Sequence, residues 1–165
     1  MKNGMSVGKK IMGGIVSVLF LSAVVISCDD DDDDPNTNNN PYAVSGIANG
    51  DQMVPDTVKE SGSSTITGSY DPVTGQLIYT TNWANLTGDP IGGGIYNGAA
   101  GTVGTPVDTT WFFDSLVVNP QGSALDTMIL TTGQADQLIA GTWYYLLKTT
   151  KYPDGEVRGQ ITATR

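Results

Sequence analysis

The chain has 165 residues, enough for one domain with short appendages, and carries 17 acidic against 8 basic side chains, a net charge of −9. It has no histidine and a single cysteine, Cys28, which removes the commonest general base and excludes both an internal disulfide and a cysteine-based zinc site. The acidic balance and the lack of a basic patch argue against a nucleic-acid partner.

Residues 1–27 divide into a basic start (Lys2, Lys9, Lys10), an apolar stretch from Ile11 to Ile26 broken by Gly13 and Gly14, and the small residue Ser27. A helix over the apolar stretch rises about 24 Å, short of the ~30 Å hydrocarbon core, so a transmembrane span is the weaker reading. Val25-Ile26-Ser27-Cys28 resembles the bacterial lipobox, where a small residue precedes a cysteine whose thiol is diacylated before cleavage. The expectation is a signal peptide over 1–27, cleavage between Ser27 and Cys28, and lipidation of Cys28. Several acyl chains, at about 0.8 kcal/mol per buried methylene, anchor firmly.

Loss of Lys2, Lys9 and Lys10 with the leader leaves 17 acids against five bases, a net of −12. Six of these acids form the run Asp29–Asp34, which leaves −6 on the domain. Residues 28–41 (the cysteine, the aspartates, then a Pro/Asn-rich stretch) have nothing to bury beyond the lipid and read as a disordered tether. Twelve such residues reach at most ~40 Å. Calcium needs a fixed oxygen cage, which a floppy run lacks. Acidic residues just after the cysteine also resemble the surface-export signal of lipoproteins in one group of Gram-negative bacteria. The predicted location is the cell envelope, lipid-anchored, at the outer membrane and surface-exposed.

From Tyr42 to Arg165 turn signals separate short apolar or alternating runs, and 21 glycines with 8 prolines suit a turn-rich all-β domain. Tyr42–Ala48 is a first strand. Ser64–Tyr70 and Gln76–Trp83 form a hairpin about Asp71-Pro72-Val73-Thr74-Gly75, with Leu77, Tyr79, Thr81 and Trp83 on one face. Gly92-Gly93-Gly94 lacks the lysine and following helix of a phosphate loop and marks a bulge or close backbone approach. Thr109–Val118 is an aromatic strand, apolar on both faces, which predicts a central position. Thr132–Gly141 is the one helical signal, with Thr132 as N-cap, Gly141 closing the end, and Leu138 and Ile139 docking it. Thr142–Thr150 places Trp143, Tyr145 and Leu147 on one face. After the turn Tyr152-Pro153-Asp154-Gly155-Glu156, the last strand alternates, with Val157, Gly159, Ile161 and Ala163 inward and Glu156, Arg158, Gln160 and Thr162 outward.

Tyr144 through Thr150, followed by Pro153-Asp154-Gly155-Glu156-Val157-Arg158-Gly159-Gln160-Ile161, resembles the end of the CHRD (chordin) domain, where a "YVNVHT" strand precedes a "PGGEIRGQL" hairpin. Gly155, Glu156, Arg158, Gly159 and Gln160 carry the most specific part, and the likeness extends over 42–165. It implies a single antiparallel β-sandwich or barrel-like domain, immunoglobulin- or superoxide-dismutase-like, with a short helix near 133–140. It brings no catalytic residues and no cofactor. Histidines that many members carry correspond here to Gly94, Tyr96 and Lys148, so no metal site is expected.

The functional expectation is a tethered, non-catalytic binding or structural module with a protein or glycan ligand; the sequence fixes no oligomeric state. The alternative is a carbohydrate-binding module using Trp83, Trp111 and Trp143, which are more often core residues. A hydrolase is the third reading, with only 11 acids in the domain to supply it. Arg158 suits a carboxylate ligand, though a cross-strand or i, i+2 pairing with Glu156 or another acid is the simpler role. Asp56-Thr57, Asp108-Thr109, Asp114-Ser115 and Asp126-Thr127 each place a hydroxyl after aspartate. They resemble an O-glycosylation sequon of the same bacterial group, with Thr57, Thr109, Ser115 and Thr127 as acceptors. The competing account is that such pairs serve turns. Asn85-Leu86-Thr87 fits the N-glycosylation pattern, but bacterial lipoproteins seldom meet that machinery.

Overall fold

The computed structural model describes residues 39–111 and 119–165. The expected signal peptide over 1–27, Cys28 and the aspartate run lie outside them, as does Ser115. Eight strands form one antiparallel sheet: β1 Tyr42–Asn49, β2 Ser63–Asp71, β3 Gln76–Ala84, β4 Pro90–Asn97, β5 Thr105–Trp111, β6 Gly122–Ile129, β7 Trp143–Thr149 and β8 Val157–Thr164. The order across the sheet is β5-β4-β7-β8-β1-β2-β3-β6, and the sheet curls into a half-barrel.

The β2–β3 hairpin forms for local reasons. Asp71 accepts from the Val73 N–H at 2.8 Å and from the Thr74 hydroxyl at 2.9 Å, while Gly75 takes φ +72°, so the chain reverses with its backbone groups satisfied. The period-two reading of β3 holds: Leu77, Tyr79, Thr81 and Trp83 are buried. Facing them inside the curl are Ile66 of β2, Ile95 of β4, Trp143, Tyr145 and Leu147 of β7 and Ile161 of β8.

Distant parts of the sheet are joined across the interior by one polar chain. Trp111 Nε1 of β5 donates to Tyr79 Oη of β3 at 2.9 Å, and Tyr79 Oη donates to Asp126 of β6 at 3.2 Å. Edge strand β5 thereby reaches two strands at the other end of the order, which is the contact that a curl creates and a flat sheet cannot.

Helix α1, Thr132–Ile139, closes against the sheet through Ala135 and Leu138. Its N-cap is Thr131, not Thr132: Thr131 Oγ1 accepts from the Gln134 N–H and Gln134 Oε1 accepts from the Thr131 N–H, a reciprocal capping box. Ile139 is 39% exposed and does not share the docking, because it lies past the buried stripe that Ala135 and Leu138 define. Gly141 has φ +69°, as a helix end requires.

Two strand expectations change. The strand expected over Thr109–Val118 starts at Thr105; its residues 112–118 lie outside the described ones, and the described part, β5, is an edge strand, not a central one. Trp111 is covered from inside the curl by Tyr79 and Tyr145, not by sheet neighbours on both sides. Strand β6 has no counterpart in the sequence reading. None of its eight residues is fully buried, and only Ala124 and Met128 pack against the core, a weak apolar pattern.

Candidate functional site

Strand β7 is buried on both faces, which two-sided packing demands but one curled sheet does not supply. Its outer side chains, Tyr144 and Leu146, lie beside Arg158 and Gln160 of β8, with Leu146 opposite Arg158 and Tyr144 opposite Gln160. Two loops cover this patch. Residues 50–58 close on themselves where the Val58 N–H donates to the Gly50 carbonyl at 2.9 Å, and Asp51 pairs with Lys59. Residues 98–104 are pinned where the Gly104 N–H donates to Tyr144 Oη at 3.1 Å.

The five residues singled out near the C-terminus build this cover. Gly155 has φ +138° and leaves room for Met53, whose Cε would lie 2.5 Å from a β-carbon there. Gly159 lets β1 approach, since its β-carbon would stand 2.4 Å from the Ile47 carbonyl oxygen. Gln160 donates to the carbonyls of Gly98 and Gly141 at 3.0 and 3.1 Å. Glu156 is 1% exposed and accepts from the Thr87 N–H (2.8 Å), the Thr87 hydroxyl (2.6 Å) and the Thr149 hydroxyl (2.7 Å). It ties the loop before β4 to the last hairpin.

Arg158 departs most from expectation. The alternation of β8 sends Glu156 and Arg158 outward, yet both are buried, and they do not pair with each other. Arg158 is 2% exposed, its guanidinium carbon 3.7 Å from the Tyr144 ring centroid. Nη2 donates to the Ala99 carbonyl at 3.2 Å, while Nη1 has no hydrogen-bond partner. Burial lowers the guanidinium pKa, and the Tyr144 ring does not reverse this. Two neighbouring clefts, of about 330 and about 320 Å³, both have Met53, Val54, Pro55 and Arg158 in their walls. Asp51, Gln52 and Gln160 also border the first; Tyr96, Leu146, Lys148 and Asp154 border the second.

The sequence missed Met53, Tyr96 and Tyr144 as site residues. A usable signal was present: Tyr144 and Leu146 are large and mostly apolar on the face of β7 opposite Trp143, Tyr145 and Leu147, which calls for a covering layer.

The three tryptophans form no platform. Trp83, Trp111 and Trp143 are 6, 8 and 0% exposed, and their ring nitrogens donate to Asn119 O, Tyr79 Oη and Gln137 Oε1. Among the possible glycan acceptors, Thr57 and Thr127 are exposed, and Thr109 lies in β5 with its side chain outside the described residues. Thr87, of the Asn85-Leu86-Thr87 pattern, spends its hydroxyl on Glu156. Two of the positions where the resemblance puts histidines, Tyr96 and Lys148, border the second cleft. No group of three metal-ligating side chains occurs among the described residues.

A model of the CHRD domain family matches residues 44–161. No curated protein and no solved structure matches the chain. The match begins in β1, ends in β8 and takes in every strand between, together with both covering loops. On this match the chain belongs to the CHRD domain family.

Proposed function

We propose that the protein is a lipid-anchored bacterial envelope protein that holds a non-catalytic CHRD binding domain away from the membrane on an acidic tether. The observation that carries the anchor is Val25-Ile26-Ser27-Cys28 after a basic and then apolar leader. No helix among the described residues is long and apolar enough to cross a membrane, so attachment through Cys28 needs no span within the domain. The binding role draws support from the Arg158 clefts, which are lined by both apolar and charged side chains.

The carbohydrate reading loses its intended platform with the burial of the tryptophans. A hydrolase reading asks for two carboxylates facing one space. Asp51 and Asp154 border different clefts, and Asp51 is engaged with Lys59. O-glycosylation at Thr57 or Thr127 is compatible with their exposure and would appear as excess in the intact mass of protein from its own cells.

Metabolic labelling with a fatty-acid analogue tests the anchor. Wild type takes up label and Cys28→Ser does not, accumulating as uncleaved precursor. Equal labelling of both forms defeats the proposal.

A further inference from the structure

Arg158 presents an unusual balance of charge. A guanidinium taken out of water is strongly disfavoured unless its donors are matched, and buried arginines normally meet a carboxylate. Here one side of the group stacks on Tyr144 and Nη2 has the Ala99 carbonyl, but Nη1 has no acceptor. No carboxylate among the described residues pairs with it. Glu156, two residues away, is fully engaged with Thr87 and Thr149.

The surroundings restrict what could complete it. Met53, Val54 and Pro55 line both clefts, and Tyr96, Val103 and Leu146 add apolar lining to the second. Lys148 borders that same cleft and adds a second positive charge. Asp154 stands there too, and Asp51 borders the other cleft, so a ligand with several negative charges meets repulsion. One negative charge on an apolar body fits; a polyanion does not.

We propose that the clefts lined by Met53–Pro55 and Arg158 are a binding site for a single carboxylate on an apolar body. Arg158 Nη1 supplies the charge-assisted hydrogen bond and Lys148 a longer-range attraction. Nη1 is buried in this arrangement, so the ligand reaches it only when the side chains and loops packed around Arg158 move aside. This deepens the binding-module reading and rests on it.

The test uses full-length ¹⁵N-labelled protein in detergent micelles, titrated with N-acetylleucine and, separately, its uncharged amide N-acetylleucinamide. Glucuronate forms a third arm, a carboxylate on a polar body. The acid should shift the Arg158 side-chain resonance and the backbone amides of Val54 and of residues 99–104, binding about tenfold more tightly than the amide, as one charge-assisted hydrogen bond implies. Arg158→Gln should abolish the difference between acid and amide. Should that variant lose its dispersed β-sheet spectrum, Lys148→Gln serves instead, weakening the acid about threefold and leaving the amide unchanged. Equal binding of acid and amide overturns the site. Glucuronate binding as tightly as N-acetylleucine overturns the apolar requirement. Shifts confined to another surface overturn this site while leaving a binding module standing.

Discussion

A β-carbon at Gly159 has nowhere to go, because backbone atoms of Ile47 and Ala48, not a flexible side-chain tip, occupy the space. Gly159→Ala therefore forces β1 and β8 apart and should cost about 1–3 kcal/mol in chemical denaturation, the range for overpacking. Glu156 is sensitive in another way. Its carboxylate gathers three donors, so Glu156→Ala leaves the buried Thr149 hydroxyl and the Thr87 N–H without that acceptor and should cost about 3 kcal/mol. Glu156→Gln keeps an oxygen for the Thr87 N–H, and both hydroxyls can rotate to accept from the amide. It should cost about 1 kcal/mol. A glutamine variant less stable than the alanine variant would contradict this account. The sequence made these residues conspicuous but misjudged their surroundings. Alternation along β8 tells which face a side chain takes, not whether that face is covered, and the covering loops have no period to reveal them.

At the scale of elements, the hairpins and the helix were legible because their signals are local. Asp71 through Gly75 writes its own turn, and Leu77, Tyr79, Thr81 and Trp83 declare one face. The capping residue was misplaced by one because Thr131 and Thr132 are both good caps. Only Thr131 stands three residues before Gln134, where the box can close. Thr131→Ala should lower stability by about 1 kcal/mol while Thr132→Ala changes little, a contrast thermal melts can read. Parity of the two would place the helix start elsewhere. Strand β6 stayed hidden because its partner β3 supplies the pairing and the curl supplies the cover. Its own inward contribution is only Ala124 and Met128, both partly buried, too little for a legible stripe. The edge position of β5 was equally out of reach, since an aromatic covered from inside a curled sheet reads like one buried at a sheet centre.

For the whole molecule, closure of the curl depends on buried phenols. Tyr79 bridges Trp111 and Asp126, and burial pushes its phenol pKa up, with the Asp126 charge adding to the effect. Burial likewise pushes the Tyr145 phenol from its ordinary 10.0 up to about 12. A phenol raised in the folded state contributes stability that is complete below its ordinary value and lost as pH climbs through the folded value. The domain should therefore hold through neutral pH and weaken between about 10 and 12, with tyrosinate absorbance rising together with loss of the β-sheet signal. Tyrosinate formation complete near pH 10 with the sheet intact would contradict the packing described for Tyr79 and Tyr145.

In the proposed arrangement a CHRD domain that folds by itself stands on an acidic tether whose far end is fixed in lipid. It is tested most directly by treating intact cells with a protease that cleaves at aspartate, then comparing the released fragment with the whole protein. The account predicts cuts within Asp29–Asp34, release of a lipid-free domain into the medium, and a thermal melt matching that of the detergent-solubilised protein. Retention of the domain on the cells after those cuts, or a released fragment without a cooperative melt, would contradict it.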